Sequence, residues 1–83
     1  MSKILIGLSV PSIEEHFDLF VPTDVPLGQL SALCAEALKN LTNGHYCPSG
    51  SELLCTTAPN RLLSKEMTLA EFGIENGDHL VIF

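Results

Sequence analysis

The chain has 83 residues, of which 46% are hydrophobic and 17% are charged, so it is long enough for one globular domain but not for a core with an appended module. Four basic residues stand against ten acidic ones and give a formal net charge of −6 at pH 7. A surface of that sign repels nucleic-acid phosphates and anionic lipid headgroups, and both classes of partner are therefore disfavoured. We expect one acidic domain spanning residues 1–83.

The sequence carries no clear targeting signal. The apolar run at 4–10 is short, follows a single lysine and lacks the small-residue cleavage site of a signal peptide. No run approaches the ~20 apolar residues that span a bilayer. The three cysteines form no disulfide framework. We therefore expect a cytoplasmic protein with free thiols and no direct membrane insertion.

Two strands are predicted at the start of the chain. Residues alternate between two faces over 3–10 and again over 15–21, and Pro11 and Ser12 interrupt the pattern between them. Two such runs joined by a short polar link are typical of a β-hairpin. Pro22 is expected to end the second strand because its nitrogen has no hydrogen to donate.

One amphipathic helix is predicted over 27–41. Its apolar residues share one stripe at helical spacing: Leu27, Leu30, Cys34, Ala37, Leu38 and Leu41. The opposite side is expected to hold Gln29, Ser31, Glu36, Lys39 and Asn40. Asp24 and Pro26 precede the helix, where an acidic residue favours the helix dipole and a proline costs no hydrogen bond. Asn43 and Gly44 should end it, since both tolerate the left-handed conformation.

The rest of the chain is predicted to form short strands. A loop at 42–50 leads to strands at 53–57 and 61–63, with a turn at 58–60 between them. Thr68 and Glu71 have the spacing of a capping box, which predicts one helical turn that Gly73 can close. The pair Asn76 and Gly77 predicts a tight turn before a last strand at 79–83. The predicted order is β-β-α-β-β-(short helix)-β.

This order is typical of the α+β class, with a β-grasp (ubiquitin-like) mixed sheet packed on one long helix. In that arrangement the first and last strands are adjacent and parallel. We expect a core containing Leu30, Cys34, Leu38, Leu69, Ile74, Leu80 and Ile82.

The outer face of the sheet should be polar, yet the alternation places four apolar side chains there: Leu5, Phe20, Val81 and Phe83. Because the first and last strands are neighbours, we expect Leu5, Val81 and Phe83 to cluster. Exposed apolar patches of this kind mark interaction sites. These four residues are the predicted partner-binding residues, either for another protein or for self-association.

Two segments resemble a known family. Residues 63–74, Leu-Ser-Lys-Glu-Met-Thr-Leu-Ala-Glu-Phe-Gly-Ile, resemble the ubiquitin-like signature. Residues 68–80 are similar to the YukD-like/EsaB-like family of bacterial ubiquitin-like proteins. The resemblance implies a small cytoplasmic accessory or regulatory protein of type VII (WXG100) secretion, with a component of the secretion machinery as its partner.

Ubiquitin-type modifiers and sulfur carriers need a flexible tail ending in Gly-Gly, whose carboxylate is activated. This sequence stops at Phe83, inside its predicted last strand. If the chain is complete, conjugation and sulfur transfer are excluded, and the expected function is a non-enzymatic interaction module. The alternative is a small ubiquitin-like scaffold subunit of a multicomponent enzyme complex such as a monooxygenase.

Metal and catalytic sites are not expected. His45 and Cys47, with Cys34 and Cys55, offer ligands that zinc accepts, but no Cys-x-x-Cys pair is present. Cys34 fits the helix stripe as a small hydrophobic residue. Covalent catalysis needs a nucleophile, a base and a group that orients the base, and no such set is evident. We expect no cofactor and no enzymatic activity.

Overall fold

A computed structural model of the chain describes residues 3–57 and 60–83. Its five strands are β1 (Lys3–Val10), β2 (Glu15–Pro22), β3 (Leu54–Thr57), β4 (Asn60–Leu62) and β5 (His79–Ile82), and its helix is α1 (Leu27–Leu41). The boundaries of the five strands and of α1 lie within one residue of their predicted positions. The short helix predicted from Thr68 is instead a turn, and the predicted link after β1 forms a 3₁₀ helix (Pro11–Ile13). The predicted turn at 58–60 lies outside the described residues, except that Asn60 begins β4.

The strands form one mixed sheet in the order β2-β1-β5-β3-β4. The pair β1–β5 is parallel, whereas β1–β2, β3–β4 and β3–β5 are antiparallel. The first and last strands are therefore adjacent and parallel at the centre, which confirms the β-grasp prediction. No helix in the described part of the chain is long and apolar enough to cross a membrane.

The core lies between α1 and the inner face of the sheet. The residues predicted to share it are buried, namely Leu30, Cys34, Leu38, Leu69, Leu80 and Ile82, and Ile74 packs against them only partly buried. Leu41, predicted on the buried stripe, is instead 56% exposed and is the last residue of α1. Ser31, predicted on the polar side, is buried, and its Oγ donates to the Gly28 carbonyl at 3.0 Å.

Backbone contacts with a distant segment stabilise the start of α1. The Leu27 N–H donates to the Met67 carbonyl at 2.8 Å, and the Gly28 N–H donates to the Lys65 carbonyl at 3.0 Å. The first N–H groups of a helix have no partner within it, so these two carbonyls take the place of a capping side chain. The expected help from Asp24 is not needed for these two donors.

The segment before β5 forms a closed turn. The Thr68 N–H donates to Glu71 Oε1 at 2.9 Å, and the Glu71 N–H donates to Thr68 Oγ1 at 3.2 Å, which is the predicted capping box. Gly73 has φ +73°, and the turn ends there without growing into a longer helix. Gly77 then donates to the Leu5 carbonyl at 2.7 Å, which fixes β5 beside β1.

Candidate protein-binding surface

The strand register fixes which side chains are neighbours on the outer face of the sheet. Leu5 lies opposite Phe20 across β1 and β2. Val81 lies between Ser9 of β1 and Cys55 of β3. The predicted partner-binding residues are therefore distributed over both ends of the sheet.

The prediction that Leu5 clusters with Val81 and Phe83 is wrong. In the parallel pair, Gly7 lies opposite His79 and Ser9 lies opposite Val81. Leu5 and Val81 are thus four residue positions apart along paired strands, about 13 Å at ~3.3 Å per residue. Alternation identifies the face of a side chain but not the offset between strands, and the offset here separates the residues.

Val81 and Phe83 instead belong to an apolar cluster on the last three strands of the sheet. Phe83 exchanges two backbone hydrogen bonds with Leu53, at 2.9 and 3.1 Å. Cys55 lies between Val81 and Leu62. We call this cluster the β5 patch: Leu53, Cys55, Leu62, Val81 and Phe83.

The β5 patch presents two large exposed side chains, Phe83 at 65% and Leu62 at 59%. Leu62 is an exposed apolar residue beside the predicted partner-binding residues that the sequence analysis did not name, because two consecutive leucines in a short strand are typical of a core. Only Leu63 is buried. The alternation within β4 was the available signal, since two consecutive strand residues must face opposite sides of the sheet.

His79 separates the β5 patch from the pair Leu5 and Phe20. Its imidazole covers Gly7, so closely that a Cβ built on Gly7 would lie 2.6 Å from the ring Cε1. Asp18 is opposite Gly7 on β2. A polar row therefore crosses the middle of the outer face, with one apolar pair on one side and the β5 patch on the other.

A buried carboxylate holds the loop that leads into the β5 patch. Glu52 is only 4% exposed and accepts hydrogen bonds from the N–H groups of Ser49 at 2.6 Å and Gly50 at 3.1 Å, and from the Tyr46 hydroxyl at 3.1 Å. Burial alone would raise the pKa of Glu52, but these hydrogen bonds outweigh it and hold the pKa below its usual range. Leu53, the next residue, is thereby fixed beside Phe83.

Tyr46 is a side-chain donor to Glu52 in this loop. Burial raises the pKa of its hydroxyl to about 12, and the hydrogen bond and negative charge of Glu52 act in the same direction. The phenol therefore remains a hydrogen-bond donor throughout the physiological range. The sequence analysis did not find this pair, because nothing in the local pattern distinguishes Glu52 from a solvated loop residue.

The cysteines and histidines do not converge. Burial raises the pKa of the Cys34 thiol to about 11, so this thiol is unreactive near neutral pH. Cys47 and His45 are exposed in the loop after α1, while Cys55 lies on β3 in the β5 patch. Among residues 3–57 and 60–83, no group of three or more His, Cys, Asp or Glu side chains is arranged to hold a metal ion.

Comparison with known proteins assigns the family. The family model described as "WXG100 protein secretion system (Wss), protein YukD" matches residues 5–82. No curated protein sequence matches the chain significantly.

Solved structures share the fold. The ubiquitin-like domain of the Mycobacterium tuberculosis type VII secretion protein EccD1 is 14% identical with a TM-score of 0.78, over 99% of this chain and 98% of that one. A chain of the toluene 4-monooxygenase HD complex is 16% identical with a TM-score of 0.79, over 98% and 96%.

A third similar chain comes from the ESX-5 inner membrane complex. It is 17% identical with a TM-score of 0.71, and the match covers 100% of this chain but only 21% of the longer one. At these identities the structural likeness shows the fold alone. The family match extends over nearly the whole sequence, and the chain therefore belongs to the YukD family of WXG100 secretion-system proteins.

Proposed function

We propose that this domain is a non-catalytic, non-conjugated protein-binding module, an accessory or regulatory component that acts in the cytoplasm and binds a component of the type VII secretion machinery through the β5 patch. The observation that carries the proposal is the combination of a YukD family match over residues 5–82 with an exposed apolar cluster on the sheet. Contiguous exposed apolar surface on a small domain is typical of an interaction site.

Within the outer face, the β5 patch is the better candidate for the main contact. Phe83 and Leu62 lie on either side of Val81 and Cys55, so a partner can bury a continuous apolar area there. Affinity in an interface is concentrated in a few anchors that become fully desolvated, and aromatic rings are frequent among them. Leu5 and Phe20 form a smaller pair beyond the polar row of His79, and we assign them a secondary contribution.

The net charge supports a protein partner over nucleic acid. A charge of −6 repels phosphate backbones, whereas an apolar patch within an acidic surface can bind a partner with a complementary basic rim. The polar row of Asp18 and His79 next to the patch offers hydrogen-bonding groups for such a rim.

A scaffold subunit of a multicomponent monooxygenase is the second candidate. The TM-score of 0.79 with a toluene 4-monooxygenase chain favours it, although 16% identity supports only the fold. The two proposals differ in the partner, because one requires a secretion component and the other an oxygenase subunit. The family match favours the secretion component.

Affinity capture from the source organism tests the proposal. Tagged parent protein should retain subunits of the type VII secretion apparatus, identified by mass spectrometry. Phe83→Ser should weaken capture by about tenfold or more, because it removes the largest anchor of the patch. Phe20→Ser serves as the comparison, since it makes the same chemical change on the same face outside the patch.

Equal capture by Phe83→Ser and the parent would remove the β5 patch from the proposal. A selective loss with Phe20→Ser would transfer the contact to the Leu5 and Phe20 pair. Capture of oxygenase subunits in place of secretion subunits would establish the second candidate. Thermal melting of each free variant is the control: an unchanged melting temperature shows that the substitution acts on binding and not on folding.

A further inference from the structure

A second candidate docking site lies at the opposite edge of the sheet, between β2 and α1. A groove of about 200 Å³ is lined there by two sets of residues: Leu19, Phe20, Val21 and Pro22 from β2, and Leu30, Leu33, Cys34 and Ala37 from α1. Leu33 is 49% exposed and lies outside the buried helix stripe. The volume is below the 300–1,000 Å³ typical of small-molecule sites, but it admits aliphatic side chains.

The edge of β2 beside this groove has free hydrogen-bonding groups. The Gly7 N–H donates to the Asp78 carbonyl, and the Leu5 carbonyl accepts from the Gly77 N–H. Gly77 and Asp78 directly precede β5, so the odd-numbered residues of β1 bond toward the β5 side. Because the direction alternates along a strand, Ile6 and Leu8 bond toward β2.

The register then fixes the direction of the bonds in β2. Leu19 and Phe17 pair with Ile6 and Leu8, so odd-numbered residues of β2 bond toward β1. The N–H groups of His16, Asp18 and Phe20 consequently point outward, and no described strand pairs with them. An exposed strand edge is a template for pairing with another chain.

The combination of edge and groove defines what can bind. A strand added to β2 would direct alternate side chains inward, over Leu33 and Ala37, and the others outward beside Asp18. Its inward positions therefore require aliphatic residues. Its outward positions lie beside Asp18, the acidic residue of β2 that faces outward, and in a chain of net charge −6 they favour basic residues.

A second copy of this chain fits the edge poorly. Each copy carries a net charge of −6, so two copies repel each other, and β2 has no lysine or arginine that could face Asp18 of a second copy. The charge therefore favours a basic partner segment over self-pairing.

We propose that the β2 edge and its groove bind an extended segment of a partner protein in which aliphatic residues alternate with basic ones. The segment adds a strand to the sheet through His16, Asp18 and Phe20, and its aliphatic side chains fill the groove against Leu33 and Ala37. This site is separate from the β5 patch and does not depend on the function proposed for that patch.

Titration of the full chain with a peptide tests the proposal. The probe is the capped heptapeptide Lys-Val-Lys-Ile-Lys-Val-Lys, and the readout is the amide NMR spectrum of the protein. We expect shifts and slower hydrogen exchange at His16, Asp18 and Phe20, with shifts at Leu33 and Ala37. A peptide in which glutamate replaces every lysine should bind about tenfold more weakly or worse.

Two pairs of variants separate backbone pairing from groove filling. Asp18→Pro removes an outward N–H, whereas Asp18→Ala removes the same charge and keeps the N–H, so the proline variant should bind about fivefold more weakly than the alanine variant. Ala37→Leu fills the groove and should also weaken binding. Ala32→Leu makes the same change on an exposed position of α1 that does not line the groove, and it should bind like the parent.

Several results would overturn the proposal. Absence of shifts at the three edge amides, or shifts confined to the β5 patch, would show that the edge does not bind such a segment. Equal binding within both pairs of folded variants would exclude strand addition in the groove. Concentration-dependent shifts of the edge amides without peptide would show that a second copy occupies the edge.

Discussion

The imidazole of His79 covers Gly7 on the outer face of the sheet. The imidazole lies where a Cβ of residue 7 would be, and three of its ring atoms would approach that carbon within 2.9 Å. The absence of a side chain at Gly7 therefore has a packing reason. The same contact places a polar ring between the two apolar parts of the face.

Gly7→Ala should displace the His79 ring, and because this ring is the end of an exposed side chain, the lost contact should offset most of the ~0.5–1 kcal/mol that alanine gains over glycine in a strand. In a His79→Ala background the same change should be stabilising by that full amount, because no ring competes for the space. Urea unfolding of the two single variants and the double variant measures this coupling. Additive effects would show that the two residues do not compete for the same space.

Glu52→Gln should destabilise the loop before β3 by about 1–3 kcal/mol. Both carboxylate oxygens accept backbone N–H groups, from Ser49 and from Gly50, and an amide would direct its own N–H₂ at one of them. Glu36→Gln is the control, because Glu36 is exposed on α1. Equal melting temperatures for the two variants would show that the Glu52 contacts contribute nothing measurable.

The same carboxylate predicts a pH dependence. The pKa of Glu52 is lower in the folded chain, so its stabilisation is complete above the unfolded pKa of about 4.3 and is lost as the pH falls through the folded pKa. The stability difference between parent and Glu52→Gln should therefore be largest near neutral pH and shrink below about pH 4. Thermal melts between neutral and acidic pH measure it, and a difference that grows in acid would contradict the assignment.

At the level of secondary structure, local sequence patterns were sufficient to predict most of the strands and the helix. The boundaries of α1 and the inward-facing residues of β1 and β2 follow from apolar spacing, and all three were predicted. The start of α1 could not be predicted in the same way, because its donors reach carbonyls at Lys65 and Met67, far along the chain. The composition of the β5 patch could not be predicted either, because alternation within each strand does not determine the offset between β1 and β5.

Leu80→Ala tests the inward orientation of β5. Leu80 has no exposed surface, and its removal should cost ~2–5 kcal/mol through lost transfer energy and a cavity. Val81→Ala is the matched control on the opposite face of the same strand, where the side chain is only partly buried. Chemical unfolding should show a clearly smaller loss for Val81→Ala, and a reversed order would show that the two faces are inverted.

For the molecule as a whole, sequence pattern predicted the β-grasp topology and the resemblance predicted the YukD family. The candidate site was predicted only in part. Phe83 and Val81 were assigned to it, Leu62 was missed, and Leu5 was placed with residues from which the register separates it. Those errors have one cause, which is that strand pairing depends on long-range contacts that local alternation does not specify.

We predict that the fold of the whole molecule does not depend on a bound metal ion. Folded protein treated with a strong chelator in reducing buffer should keep its melting temperature, because Cys34 is packed in the core while His45 and Cys47 are exposed in a loop. Differential scanning fluorimetry with and without chelator measures the effect. A large drop in the melting temperature would indicate that His45 and Cys47 bind zinc.

The most direct measurement is secretion of WXG100 proteins by the source organism when its own copy of this gene encodes Phe83→Ser. If the β5 patch joins the domain to the secretion apparatus, the extracellular level should fall by about tenfold, while the abundance of the domain is unchanged. Leu41→Ser, which alters an exposed leucine on α1 outside the patch, should leave secretion intact. Secretion at the parental level by a stable Phe83→Ser domain would contradict this role of the patch.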